Sequence, residues 1–289
     1  MDNPRISSFV VIANLYRTPS VAGVCRPEAA SWELGSRGFL MNSHPDSSVQ
    51  RIMLETRFLR ILGRHIYSSY TSTMKDGVKL SLRVKGDDDG VAREIFEKHI
   101  YEKTFAPQPG DIVVDAGANI GCFSLQAARR VGAAGRVFSF EPTRENFEML
   151  RRNISLNNTK NIVPKRLALG DAENETEIGI YERSGDSSIF YSKRSPPKRT
   201  ESVTVTTIDA CKFDRLNFLK LDTEGYEMRI LRGARITLDK FHPVIAGEAH
   251  PGFSESGEAI LEYLEELGYT GTVENYHGPD LQLFYAWAT

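Results

Sequence analysis

The sequence predicts an α/β protein in which a mostly parallel sheet is covered by helices on both faces and preceded by a helical and hairpin extension. Three observations predict it. Beyond Gly110, short apolar runs recur at Ile112-Val113-Val114, Val137 to Phe140, Ile162-Val163, Phe218 to Leu221 and Val244-Ile245-Ala246, most of them separated by helical stretches. Unbroken apolar runs of this kind belong to parallel strands buried on both faces. A glycine-containing loop follows the first run directly, where open α/β sheets bind ligands. The residues before Gly110 lack this alternation and carry two helical stretches and one hairpin turn instead.

At 289 residues and 40% hydrophobic, the chain can bury one large core and carry an appendage. We place the extension at residues 1–90 and the main domain at 91–289. Up to Ser48 the sequence is rich in Pro, Ser, Gly and Asn without a sustained period, which reads as irregular structure. From Val49, Ile52, Leu54, Phe58, Leu59 and Leu62 recur at helical spacing, with arginines on the solvated side. Tyr67 to Thr73 and Val78 to Val84 flank Lys75-Asp76-Gly77, a hairpin signal because Asp and Gly tolerate positive φ. Gly86 to Gly90 holds three aspartates, but their spacing lacks the alternating ligands and closing Glu of an EF-hand, so it reads as a solvated turn. A helix over Val91 to Phe105 stops before Pro107 and Pro109.

Further on, Thr176 to Tyr181 and Ser202 to Thr207 are β-prone and surround a basic insertion at Lys193 to Arg199. Tyr269 to Tyr276 and Leu281 to Ala286 form a terminal strand pair. A net charge of −2 gives the molecule no excess positive field for a polyanion, so nucleic acid is disfavoured as a partner. Three widely spaced cysteines provide neither a disulfide framework nor a CxxC pair. With no signal-like N-terminus and no apolar window long enough to span a bilayer, a soluble, cytoplasmic protein is expected.

In the loop Asp115-Ala116-Gly117-Ala118-Asn119-Ile120-Gly121, the glycines let backbone approach a ligand closely. The pattern is neither the dinucleotide G-x-G-x-x-G nor a P-loop. Asp115 would repel a phosphate but could attract the ammonium of an amino acid, a group that S-adenosylmethionine (SAM) carries. The plainer reading is that Asp115 caps the loop and the glycines only turn it. Glu141 ends the next strand about 20 residues on, where an acidic side chain accepts hydrogen bonds from ribose hydroxyls. Gly170-Asp171 ends a third strand, and Asp171 is read either as an adenine contact or as a turn residue.

The blocks Asp115 to Gly121, Phe140-Glu141-Pro142, Ala168-Leu169-Gly170-Asp171 and Lys220-Leu221-Asp222-Thr223-Glu224-Gly225-Tyr226-Glu227 together resemble the FkbM family of methyltransferases over about Ala92 to Glu248. The resemblance implies a seven-stranded, mostly parallel, Rossmann-like class I methyltransferase sheet with SAM as cofactor. It also implies methylation of a hydroxyl on a macrolide, sugar or similar small molecule. It marks Asp115, Gly117, Asn119 and Gly121 as loop residues, Glu141 at the ribose and Asp222 in the active-site block. Before about Thr73 the resemblance stops, and it does not identify the acceptor.

Methyl transfer to a hydroxyl is an in-line displacement at an already activated carbon, so the protein must position the acceptor and remove its proton. Asp222 ends one inner strand, while Glu248 and His250 alternate at the end of the next, which would put all three at one rim. The trio could hold Mg2+ or Mn2+ with the acceptor oxygen in its shell, or His250 alone could be the base. Glu224 and Glu227 fit either this rim or the positive N-terminus of the following helix. The expected function is SAM-dependent O-methylation of a sugar, glycolipid or other small hydroxylated metabolite. An RNA or protein methyltransferase and a non-catalytic SAM-binding module are the alternatives. The absence of Asn/Asp-Pro-Pro-Tyr/Phe at the Asp222 strand end argues against exocyclic amines as acceptors.

Overall fold

The computed structural model describes residues 69–84, 86–181, 197–252, 254–276, 278 and 280–288. The helix expected from Val49 and the segment before it lie outside these residues, as does most of the basic insertion. The chain divides into two compact units, residues 1–71 and 72–289, and the second carries the main sheet. No helix among the described residues is long and apolar enough to cross a membrane.

Strands β1 (Ser69–Thr73) and β2 (Lys79–Arg83) form the expected hairpin. The turn closes through Met74 N–H donating to Val78 O at 2.8 Å, with Gly77 at φ 88°. Helix α1 (Asp88–Arg93) runs on into one wide π-type turn, Glu94–Lys98. It begins three residues earlier and ends earlier than the sequence suggests. The early start arises because Asp88 is not a solvated turn residue: it is 1% exposed and takes both Arg83 Nε (2.9 Å) and Arg83 Nη2 (2.7 Å). Aspartates in the first turn also suit the positive end of the helix. The early stop is His99, whose left-handed φ of 51° closes the last turn.

The main sheet is built from β3 (Ile112–Ala116), β4 (Arg136–Phe140), β5 (Ile162–Lys165), β9 (Phe218–Leu221), β10 (Val244–Ala249), β11 (Tyr269–Asn275) and β12 (Gln282–Ala288). Its seven strands run in the order β11-β12-β10-β9-β3-β4-β5, with β12 antiparallel to both neighbours and the others parallel. This is the Rossmann-like class I arrangement expected from the sequence. Helices α2 (Cys122–Val131), α3 (Arg144–Leu156), α4 (Glu227–Arg232), α5 (Arg235–Phe241) and α6 (Gly257–Glu265) connect the strands. A three-stranded sheet of β6 (Ala168–Leu169), β8 (Arg199–Thr206) and β7 (Asn174–Ile180) occupies the excursion between β5 and β9. Val114, Leu219, Leu221, Ile230, Leu231, Ile245 and Phe284 are fully buried in the core. Each such side chain contributes about 1.5–3 kcal/mol on leaving water.

Strand β2 is carried on α3 by asparagines. Asn153 Oδ1 accepts from Ser81 N–H (2.7 Å), and one turn along, Asn157 bonds both Lys79 N–H (2.8 Å) and Lys79 O (2.7 Å). About two turns from Asn153 toward the other end, Asn146 Oδ1 accepts from Arg83 Nη1 at 2.8 Å. Arg83 therefore ties β2, α1 and the start of α3 together out of water. Arg83→Ala would remove the guanidinium from the buried Asp88 carboxylate, which keeps the backbone N–H of residue 83 (2.7 Å), and we expect a loss of about 3–5 kcal/mol of folding stability in urea titration, as for other broken buried pairs. A change below about 1 kcal/mol would mean that Asp88 is satisfied without Arg83.

Candidate functional site

The chain leaves β3 toward one edge of the sheet and returns at β9 on the other side, so the strand order reverses between these two neighbours. Ligands of open α/β sheets bind outside the carboxyl ends of the strands at such a reversal. A cavity of about 220 Å³ opens there, lined by Gly117 to Ile120, Glu141, Lys220, Asp222 to Glu224, Glu248 and Tyr101. Leu167, Leu169, Ile178 and Tyr226 form an apolar side. Asp87, Glu94, Glu141, Asp222, Glu224 and Glu248 bring six carboxylates to the lining, against one ammonium, Lys220.

The glycine loop is shaped by its contact with β9. Gly117 (φ 74°) and Ala118 both donate to Phe140 O, at 3.0 and 2.9 Å. A Cβ on Gly117 would sit 1.8 Å from the Asp222 carbonyl oxygen, so no side chain fits there. Asn119 (φ 49°) donates its N–H to Glu141 Oε2 at 2.9 Å, which aims the loop at the end of β4. Glu141 Oε1 accepts from Thr143 N–H (3.0 Å) and Thr143 Oγ1 (2.6 Å). Burial raises the Glu141 carboxyl above its usual range, and these hydrogen bonds oppose that rise.

A buried polar row crosses the sheet beneath the loop. In register, Ser139 on β4 lies beside Asp115 on β3, and Asp115 beside Lys220 on β9. Lys220 Nζ is 3.1 Å from Asp115 Oδ1 and 3.5 Å from Asp222 Oδ2, and it donates to Gly117 O at 2.8 Å. Burial alone would push the lysine down, but Asp115 and Asp222 outweigh it and hold the ammonium above its ordinary value. A group raised in this way contributes stability at and below its unfolded pKa and loses it only as pH climbs through the folded value, so Lys220 is charged across the neutral range. Ser124 Oγ, on α2, donates to Asp115 Oδ2 at 2.5 Å.

Gly247 pairs with Leu221, which sets Glu248 alongside Asp222. The Tyr101 hydroxyl bridges them, 3.0 Å from Asp222 Oδ2 and 2.8 Å from Glu248 Oε1. Burial, then the Asp222 charge, raise the Glu248 carboxyl well above its usual range. Beyond Asp222 the chain turns through Glu224 (φ 56°) and Gly225 (φ 97°). Glu227 Oε1 holds this turn, accepting from Thr223 N–H (2.7 Å), Thr223 Oγ1 (2.9 Å) and Gly225 N–H (3.3 Å).

Of the residues singled out from sequence, Gly117, Asn119, Glu141, Asp222 and Glu248 come together at the cavity. Asp115 lies behind it, paired with Lys220 rather than facing a ligand. Gly121 (φ 91°) turns the chain into α2, with Leu150 against it. Asp171 is exposed, outside the lining, and 3.3 Å from Arg229 Nη1.

His250 does not meet the other two members of the expected trio. Strand β10 ends at Ala249, so the alternation that would align His250 with Glu248 breaks off, and His250 O begins a turn by accepting from Ser254 N–H at 2.9 Å. The imidazole Nε2 instead lies 3.3 Å from Glu224 Oε2, behind the loop. Among the described residues no group of three or more His, Cys, Asp or Glu side chains is arranged to hold a metal ion. The cation site on Asp222, Glu248 and His250 is therefore withdrawn.

Three site residues escaped the sequence reading. Lys220 left a signal, a charge inside the apolar run Phe218 to Leu221, which is tolerable in a buried strand only if partnered. For Glu227 the sequence offers the rim or the helix end, and not the turn from Thr223 to Gly225 that its carboxylate fixes. Tyr101 left none, because only the fold brings the segment after α1 to the ends of β9 and β10.

Residues 115–270 match the family model described as the Methyltransferase FkbM domain. The chain is 29% identical to "Methyltransferase 1" of Beauveria bassiana over 222 residues, 67% of this chain and 86% of that protein. A shorter stretch of 67 residues is 40% identical to "Methyltransferase sdnD" of Sordaria araneosa, covering 23% of this chain and 25% of that one. Among solved structures, a methyltransferase FkbM from Methylobacillus flagellatus KT superposes with a TM-score of 0.44 at 21% identity, over 65% of this chain and half of that one.

Two substitutions check the cavity. Glu141→Ala is expected to weaken SAM binding by about 1–3 kcal/mol in calorimetry, the usual loss for hydrogen bonds to a charged group. Gly117→Ala, which adds a methyl group in contact with the Asp222 carbonyl, should abolish measurable SAM binding in a chain that still folds by circular dichroism. Unchanged affinity in either variant would move the cofactor elsewhere.

Proposed function

The chain belongs to the FkbM methyltransferase family, and from that premise we propose that it transfers the methyl group of SAM to a hydroxyl oxygen of an uncharged small metabolite, such as a sugar or glycolipid. The observation that carries this reading is the lining of the cavity, where five acidic side chains besides Glu248 face one ammonium already spent on Asp115 and Asp222. Such a field favours the cationic sulfonium of SAM and is unfavourable to phosphate-bearing acceptors. The runner-up readings, an RNA or a protein methyltransferase, lose weight to the extent that their substrates are anionic near the reacting atom.

In this reading Gly117 and Asn119 present backbone to the cofactor and Glu141 accepts from the ribose hydroxyls. Asp222 takes the proton of the acceptor as the methyl group passes from sulfur to oxygen in line. Positioning supplies most of the rate, and a well-placed base adds about 10²–10⁴-fold. His250 works at one remove by holding Glu224 at the cavity edge. Asp115 and Asp171 are assigned support of the loop and of the third strand end, Asp115 through Lys220 and Asp171 through Arg229.

The test is transfer from labelled SAM into a hydroxyl-rich metabolite extract, fractionated by charge, with and without chelator. Label is expected in the neutral fraction. Asp222→Ala should lower turnover at saturating SAM on the order of a hundredfold, and His250→Ala should lower it by roughly tenfold or less. Label confined to the anionic or RNA fraction would reverse the assignment of the acceptor. Full activity in Asp222→Ala would remove it as the base.

A further inference from the structure

The bridge between Asp222 and Glu248 has more oxygens than hydrogens. Tyr101 is 3% exposed, with its ring edge-on to Phe123 at 5.7 Å between centroids, so its hydroxyl is held where it lies. That hydroxyl is 3.0 Å from Asp222 Oδ2 and 2.8 Å from Glu248 Oε1. A phenol has one hydrogen and can donate it to one carboxylate only. The other contact sets two lone-pair oxygens at hydrogen-bond distance, which is repulsive unless a second proton lies between them, and a carboxyl group must supply it.

The surroundings say which one. Asp222 Oδ2 lies 3.5 Å from the Lys220 ammonium, and its side chain is 28% exposed, both of which favour a carboxylate. Glu248 faces the Asp222 and Glu94 charges and the tyrosines Tyr101, Tyr276 and Tyr285, with the Lys220 ammonium opposing them.

We propose that Tyr101 is a positioning residue of the methyl transfer, and that it holds Glu248 as a neutral carboxylic acid: Glu248 donates to the Tyr101 oxygen, Tyr101 donates to Asp222 Oδ2, and Asp222 is the ionised end of the chain. The inference rests on the reading of Asp222 as the base. Burial and the neighbouring acids raise both the Tyr101 phenol and the Glu248 carboxyl, in agreement with this polarity. Both the tyrosine and Lys220 contact Oδ2, which leaves Oδ1 to meet the acceptor. During transfer the acceptor O–H bond breaks as its oxygen bonds the methyl carbon. The proton passes to Asp222, the carbon–sulfur pair returns to sulfur, and the sulfonium becomes a neutral thioether. Asp222 then releases its proton to solvent, and the Glu248 proton stays in place throughout.

Infrared difference spectroscopy on the full chain at neutral pH reads the proton directly and needs no acceptor. The carboxylic-acid carbonyl band lost on Glu248→Gln should be absent from the Asp222→Asn difference and should shift in Tyr101→Phe, with all three variants folded by circular dichroism. A band lost on Asp222→Asn instead would place the proton on the wrong acid, and no band lost in either variant would remove the bridging proton; both results overturn the proposal. Once the labelled-SAM screen supplies an acceptor, Glu248→Gln should turn over at least tenfold faster than Glu248→Ala, because glutamine keeps a donor at that position, while Asp222→Asn should be no better than Asp222→Ala. Equal turnover of the two Glu248 variants would also overturn it. An empty screen would tell against the proposed acceptor and leave the infrared result standing.

Discussion

The Lys220 ammonium, closed in between Asp115 and Asp222 under the glycine loop, is the interaction on which the rest of the site depends. An unpaired charge could not stay in the middle of an apolar strand. The two carboxylates and the carbonyl oxygens of Ala116 and Gly117 make its burial tolerable. In return the lysine joins three parts of the cavity wall: the end of β3, the first turn of the glycine loop and the acid at the end of β9. Buried charge of this kind is weak evidence for stability. Its contribution here is to bring the carbonyls of the glycine loop and the acids of β3 and β9 onto one donor.

The same economy governs the carboxylates above it. Glu227 makes no approach to the cavity, yet its single oxygen Oε1 accepts three donors and so fixes the turn that presents Thr223 and Glu224. His250 braces that turn from behind through Glu224. Acids that look alike in sequence, Asp222, Glu224, Glu227 and Glu248, thus divide into groups that face the cavity and groups that shape it, and burial and donor count decide between them.

Much of the fold was legible because its signals are local. Apolar runs such as Ile112 to Val114 and Val244 to Ala246 can be only strands buried on both faces, and Asp76-Gly77 can hardly be other than a turn. The meeting of Gly117, Asn119 and Glu141 at the cavity was legible for the same reason: they lie at strand ends, where position along the chain implies position in space. The rim beyond Asp222 was less so. Predicting that Glu248 and His250 share a face required β10 to continue past Ala249, and one residue of strand length decided the matter. Asp88 was taken for a solvated residue because its partner, Arg83, is recognisable only once the hairpin has folded back. Tyr101 depends on a contact between distant segments, for which a single sequence carries no pattern.

The way α3 carries the hairpin has a consequence for how the protein survives in solution. A strand with one side unpaired offers a row of amides and carbonyls to any other extended chain, and such edges seed aggregation. One side of β2 is taken up by β1, and the amides of Asn153 and Asn157 occupy Ser81 and Lys79 on the other, imitating a neighbouring strand with side chains alone. The helix thereby silences an edge of β2 that would otherwise stand open beside the glycine loop.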